Sequence, residues 1–183
     1  KYYPLPTINS NPNVQKNTNY NQFDLLQKFV YKPSNNYKLL FNFQLSRSSN
    51  IARFDKLNQL NDGKLKYARW EYGPQKRVLV SPQLLFFSEK DWIKSGKIIL
   101  SLQTFSESRI HRKFDELSRK TQKEEVQVYG LNGDFKGKIF NSDDLSYGVE
   151  VTHNTVESNA FSQDIEILEN KIISLFVKPL RSL

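Results

Sequence analysis

The clearest pattern in the chain is an alternation of apolar and polar residues over positions 37–46. The odd positions are Tyr37, Leu39, Phe41, Phe43 and Leu45, and the even positions are mostly polar. Because successive side chains of a β-strand point to opposite faces, this pattern predicts a strand with one apolar and one polar face. About ten residues would let a tilted strand cross a bilayer. A half-buried strand of a soluble sandwich has the same pattern, so the segment alone leaves both readings open.

Five more segments have strand character. They are residues 22–31, 77–87, 97–107, 123–135 and 144–158. Pro82 lies inside the third predicted strand, and because proline has no ladder donor we expect a β-bulge there. Residues 164–177 instead carry apolar residues at helical spacing, which indicates an amphipathic helix or a disordered end. The patterns together predict an all-β fold, an antiparallel meander of about six strands.

The connections between these predicted strands alternate in length. Short turns are predicted at 32–36, 88–96 and 136–143, a long polar connection at 47–76 and a medium one at 108–122. Outer-membrane barrels have short turns at one end and long loops at the other, whereas sandwiches mix their loop lengths. Aromatic residues also flank the short turns, where an interfacial girdle belongs; they are Tyr31, Tyr37, Phe86, Phe87 and Trp92. These features favour neither a membrane barrel nor a soluble sheet decisively.

The composition narrows the chemistry. The 183 residues include no Cys, which excludes disulfides, thiolate metal sites and cysteine nucleophiles. No apolar run is long enough for a membrane helix, although barrel strands need none. A net charge of +8 would suit nucleic acid, but the basic residues form no run, so solvated loop charge is the preferred interpretation. The chain has no Met and opens at Lys1, which predicts a processed or partial chain.

One aromatic and basic cluster is the candidate binding site. It comprises Tyr67, Arg69, Trp70, Tyr72, Lys76 and Arg77. Such side chains could stack on and charge-pair with an anionic chelate, or with bases and phosphates, and a packed extracellular loop is the simpler alternative. His111 and His153 lack carboxylates at metal-ligand spacing, so loop or strand-end positions are expected for them. No catalytic triad order or Gly-rich phosphate loop occurs, and neither an enzyme nor a cofactor is predicted.

Several segments, in order, resemble the barrel portion of TonB-dependent outer-membrane receptors. They are residues 11–15 (NPNVQ), 20–28 (YNQFDLLQK), 48–57 (SSNIARFDKL), 70–77 (WEYGPQKR), 107–114 (ESRIHRKF), 128–135 (VYGLNGDF) and 147–154 (YGVEVTHN). The resemblance implies a segment of a 22-stranded barrel in the outer membrane of a Gram-negative bacterium. It further implies uptake of iron chelates such as siderophores, haem or similar nutrients, with energy supplied through TonB.

The chain departs from that family in two respects. No plug and no TonB-contacting box is recognisable, so a TonB contact is expected only through the missing plug region. About six strands are also fewer than the eight of the smallest single-chain bacterial barrels. The expected organisation is an irregular approach segment at 1–21, barrel strands at 22–157 and an atypical tail at 158–183.

Two hypotheses follow from the sequence. The first is a fragment of a TonB-dependent receptor, whose partners are outer-membrane lipid and a small nutrient ligand and which is not expected to bind nucleic acid. The second is a soluble, basic, all-β module that binds nucleic acid or acidic polysaccharide. Alternating connection lengths and the aromatic positions favour the first.

Overall fold

Long antiparallel strands dominate the structure, a computed structural model that describes residues 8–114, 116–139 and 143–166. With 72% strand and 4% helix, the fold is all-β, as predicted. Its elements are β1 (Gln22–Ser34), β2 (Tyr37–Ser48), β3 (Ile51–Ala52), α1 (Phe54–Leu57), β4 (Leu60–Asn61), β5 (Lys64–Leu65), β6 (Tyr67–Tyr72), β7 (Lys76–Phe87), β8 (Ser95–Lys113), β9 (Ser118–Ile139) and β10 (Asp143–Asp164).

The main sheet is a meander in which each long strand pairs with the next one along the chain. The antiparallel order is β1, β2, β7, β8, β9, β10. The short strands β3 and β6 continue β2 and β7, and β6 pairs with the far part of β8. Six strands therefore lie side by side over most of the sheet. Among the described residues the sheet is open, with β1, β10 and the short β3 as its edges.

A break divides β7 from β6 at Gly73 and Pro74. Pro74 has no N–H for a ladder, and a side chain at Gly73 would collide with Ser108 of β8. The adjoining backbone is held across the sheet, since Ser48 N–H donates to the Gln75 carbonyl at 2.9 Å. The Ser48 hydroxyl in turn accepts from Gln75 N–H at 3.0 Å. Residues 73–75 therefore separate the two strands, and the chain rejoins the ladder on the same neighbour, β8.

Turn chemistry explains the two tightest hairpins. Asn35 and Asn36 alone separate β1 from β2. Asp62 and Gly63 join β4 to β5 with φ values of 51° and 74°. Positive φ at both central residues is the requirement of a type I′ hairpin turn, and Asp-Gly satisfies it. The chain can therefore reverse within two residues between β4 and β5.

The predicted connection at 108–122 is wrong. Strand β8 continues to Lys113 and β9 begins at Ser118, with pairs such as Ser108↔Lys123 and His111↔Lys120 between them. Apart from Ile110, these strand ends are polar on both faces. They therefore lack the apolar alternation that marks a half-buried strand. The connection between β8 and β9 is consequently short, and the predicted alternation of loop lengths is not observed there. The long excursion between β2 and β7 is present and contains β3–β6 and α1.

The bulge expected at Pro82 is also wrong. The register of β7 on β8 is the same before and after this residue, with Val80↔Leu102 and Gln83↔Ile99. Pro82 itself lies opposite Phe41 of β2. The ladder therefore loses a donor at Pro82 without gaining an extra residue.

Within residues 8–114, 116–139 and 143–166, no second layer of secondary structure packs over the sheet. Among the described residues, no hydrophobic side chain is buried, and the buried polar side chains there are Ser48, Ser81 and Arg112. Stability of a soluble domain normally requires apolar faces to pack against another layer. Here cohesion within the described part comes from backbone ladders and same-face neighbours.

Strand β1 begins at Gln22, where the predicted strand region begins. Strand β10 runs to Asp164, beyond the predicted boundary at residue 157. The helical pattern predicted for 164–177 lies almost entirely outside the described residues.

Candidate functional site

One face of the sheet carries a continuous apolar surface, here called the belt. Direct cross-strand partners share a face, and the pairings place the following residues on it: Phe23, Leu25, Phe29, Tyr31, Tyr37, Leu39, Phe41, Phe43, Leu45, Val78, Val80, Pro82, Leu84, Phe86, Ile98, Leu100, Leu102, Tyr129, Leu131, Phe135, Leu145, Tyr147, Val149 and Val151. Gln27 is the polar side chain within its outline.

The belt is open to its surroundings. Side chains from strands across the sheet are about half exposed, with Phe29 at 57%, Leu100 at 50% and Val151 at 56%. Soluble proteins seldom leave a contiguous apolar patch of this extent bare, and such patches mark lipid or protein contacts. The belt is therefore the first candidate for a functional surface.

The upper edge of the belt is the one nearer the β8–β9 connection. It runs obliquely across the strands and not at right angles to them. Its last apolar residues from β1 to β10 are Phe23, Leu45, Val78, Leu102, Tyr129 and Val151. In register, Phe23 lies level with Arg47 of β2, whereas Val151 lies level with Phe41. At ~3.4 Å per residue and ~4.8 Å per strand, this edge descends about 20 Å over about 24 Å. The slant of about 40° equals the tilt of strands in membrane barrels, about 35–45°.

An aromatic row forms the lower part of the belt. Tyr37, Phe86, Gly96, Phe135 and Tyr147 are successive cross-strand partners. The Phe86 and Phe135 ring centroids are 6.3 Å apart, and those of Phe135 and Tyr147 are 5.4 Å apart. The two phenylalanine rings close over Gly96, where a Cβ would lie 2.5 Å from Phe86 and 2.7 Å from Phe135. The glycine is thus required for the rings to cover the backbone.

The opposite face is predominantly polar over the same levels. Its residues include Lys38, Asn42, Gln44, Ser81, Gln83, Lys97, Ser101, Gln103, Asn132, Asp134, Glu150 and Thr152. Lys97 and Asp134 are direct cross-strand partners, and Arg77 donates to the Gln103 side-chain oxygen at 3.0 Å. The two faces therefore differ in polarity, although Leu40, Leu79 and Ile99 also lie on the mostly polar face.

Two members of the predicted binding cluster, Trp70 and Tyr72, meet above the belt level. Their rings make an edge contact at 5.4 Å. The guanidinium carbon of Arg53 lies 5.2 Å from the Trp70 ring and 5.4 Å from the Tyr72 ring, and its Nη1 donates to the Tyr72 hydroxyl at 2.7 Å. Both rings are on the polar side of the sheet, since their partners on β8 are His111 and Arg109.

The other four predicted residues do not join this group. Arg69 points to the opposite face from Trp70 and forms an ion pair with Glu71. Tyr67 instead packs edge-on against His111 at 6.1 Å. Lys76 and Arg77 begin β7 and, as consecutive strand residues, lie on opposite faces.

Arg53, which contacts both Trp70 and Tyr72, was not among the binding residues predicted from the sequence. Its Nε and Nη2 donate to the Asp55 carboxylate at 2.7 and 2.6 Å. This hydrogen bond raises the pKa of the Arg53 guanidinium and lowers the pKa of Asp55 to about 2. Arg53 reaches Trp70 because its N–H donates to the Trp70 carbonyl at 2.9 Å. Only the β3–β6 pairing reveals this contact.

His111 has a lowered pKa, first because of desolvation and then because of the positive charge of Lys120. Its ring faces Tyr67. The part of the chain that the structure describes contains no group of three His, Cys, Asp or Glu side chains placed to hold a metal ion. Chemically, this end of the sheet offers aromatic surface, cations and hydrogen bonds for binding.

Within the same residues, no helix has the length and apolar character needed to cross a membrane. No protein-family model matches the chain, and the search of curated proteins returns no significant match.

Proposed function

We propose that the chain is a section of the barrel of a TonB-dependent outer-membrane receptor, which takes up iron chelates, haem or similar nutrients. The belt, with its oblique upper edge, is the observation that carries the proposal. A horizontal lipid boundary drawn across strands tilted by about 40° would produce such an edge. In a soluble sheet, no membrane plane would impose a single slant across six strands.

The two faces support the same proposal. In a barrel, the apolar belt contacts lipid and the polar face lines the lumen. On β2, the five apolar levels from Tyr37 to Leu45 span roughly 20 Å along the membrane normal after tilt, close to the ~25 Å apolar band of such barrels. The bare belt disfavours the soluble binding module, which would need a covering layer.

The ligand role is assigned to the polar face and to the Arg53, Trp70 and Tyr72 group beyond it. Stacked aromatic rings beside a guanidinium suit a planar or anionic chelate. Coupling to TonB would pass through the plug region of the receptor and not through these strands.

Fractionation of the full-length protein that carries this chain tests the proposal. Cells are broken without detergent, and outer membranes are separated and washed at high pH. We expect the protein to stay with outer membranes and to require detergent for release. Recovery in the soluble fraction would refute the proposal, and salt-dependent binding of nucleic acid or acidic polysaccharide by that fraction would support the alternative.

A further inference from the structure

The first side chains above the oblique edge share one chemical property. On the belt face these residues, here called the collar, are Arg47, Lys76, Thr104, Gln127 and His153. All can donate hydrogen bonds, and none is a carboxylate. The carboxylates of this face, such as Glu125, lie farther out along the strands. The collar therefore forms a band of positive and donor groups along the apolar boundary.

Two cations of the collar lie directly opposite each other. Arg47 and Lys76 are cross-strand partners on β2 and β7, and both are exposed. Among the described residues, no ion pair is formed by either side chain. Like charges at such positions repel and destabilise a ladder. An anion between the two side chains would remove that cost.

We propose that the collar binds the phosphate of an anionic lipid headgroup, with Arg47 and Lys76 neutralising its charge. The inference rests on the proposed function, because a headgroup reaches this level only when the belt lies in hydrocarbon. The lipid belongs to the leaflet on the side of the β8–β9 connection. Cations at a membrane surface attract anionic lipids through this interaction.

The two faces distinguish a lipid from a ligand in the lumen. Lys76 and Arg77 are adjacent, but Lys76 lies on the belt face and Arg77 lies on the polar face beside Gln103. A solute inside a barrel would meet Arg77, whereas a lipid outside it would meet Lys76. The chain thus provides its own matched control.

The experiment measures binding of fluorescent phosphatidylglycerol to the full-length protein in zwitterionic micelles, by anisotropy at fixed salt. Arg47→Gln with Lys76→Gln is compared with Lys38→Gln with Arg77→Gln, which removes the same charge from the polar face. From the binding free energy that basic residues typically contribute at an anionic membrane surface, we expect roughly thirtyfold weaker binding for the first pair. For the second pair we expect a change of less than about twofold.

Three results would overturn the inference: equal losses in both pairs, equal wild-type affinity for fluorescent phosphatidylcholine, or displacement of the lipid by inorganic phosphate at the same concentration. Quenching of Trp92 by brominated lipid, measured on the same samples, reports insertion separately. Insertion without a preference for anionic over zwitterionic lipid would refute only the proposed lipid binding by the collar. Absence of insertion would refute the proposed function.

Discussion

Replacing Leu131 by arginine tests whether the belt contacts hydrocarbon. Leu131 lies on β9 between Leu100 of β8 and Val151 of β10, with apolar neighbours on both sides. It is 40% exposed. The adjacent Asn132 points to the polar face, opposite Glu150, so Asn132→Arg is a control with the same new side chain one residue away.

The two environments predict very different costs for Leu131→Arg. In lipid, arginine near the middle of an outward-facing strand destabilises a barrel by about 2–4 kcal/mol. In water, a substitution at a partly exposed position usually changes stability by about 0.5 kcal/mol or less. Asn132→Arg gains an opposite charge in Glu150 and is expected to cost about 0.5 kcal/mol or less in either case.

The assay is guanidinium unfolding of the full-length protein in phosphatidylcholine vesicles, followed by tryptophan fluorescence. We expect the free energy of unfolding to fall by at least about 2 kcal/mol for Leu131→Arg relative to Asn132→Arg. A difference smaller than about 0.5 kcal/mol would refute the lipid contact of the belt. An equal, large loss in both variants would show instead that β9 tolerates no arginine.

Three further outcomes are expected. Gly96→Ala puts a methyl group 2.5 Å from the neighbouring phenylalanine ring and should lower stability by about 1–3 kcal/mol in chemical unfolding; unchanged stability would contradict the close ring packing. In single-tryptophan variants, brominated lipid should quench Trp92, beside the aromatic row, more strongly than Trp70; equal quenching would contradict the assigned membrane level. Asp55 titrates at about 2 because Arg53 hydrogen-bonds its carboxylate, so the ion pair stabilises fully above pH 3.8 and is lost as pH falls through about 2. Arg53→Gln should raise the pKa of Asp55 in an NMR titration, and an unmoved pKa would exclude the hydrogen bond as its cause.

Alternation predicted the strands wherever one face is apolar. The segment at 37–46 became β2 with Tyr37, Phe41 and Leu45 on one face. The ends of β8 and β9 were missed because they are built mainly of polar pairs such as Ser108 and Lys123. The strands there are defined by their backbone hydrogen bonds, which the pattern of apolar and polar residues in a single sequence does not reveal.

The candidate site was harder to predict than the strands. Proximity in sequence grouped Lys76 with Arg77, although the period of two sends them to different faces. Arg53 lies far from Trp70 in sequence and joins it only through the pairing of β3 with β6. The belt edge could not be drawn from the sequence either, because its slant exists only once the registers of all strands are known.

The pairing of β9 with β10 has a consequence for the order of assembly. Their ladder pairs every residue from Ser118↔Asp164 to Ile139↔Asp143 without a register shift. Closing this hairpin requires only a short loop, so its entropic cost is small. Each earlier strand can then pair with the exposed edge of the long strand that follows it in the chain. The sheet can thus grow from its C-terminal hairpin towards β1, and the excursion between β2 and β7 is the one long closure that would delay it.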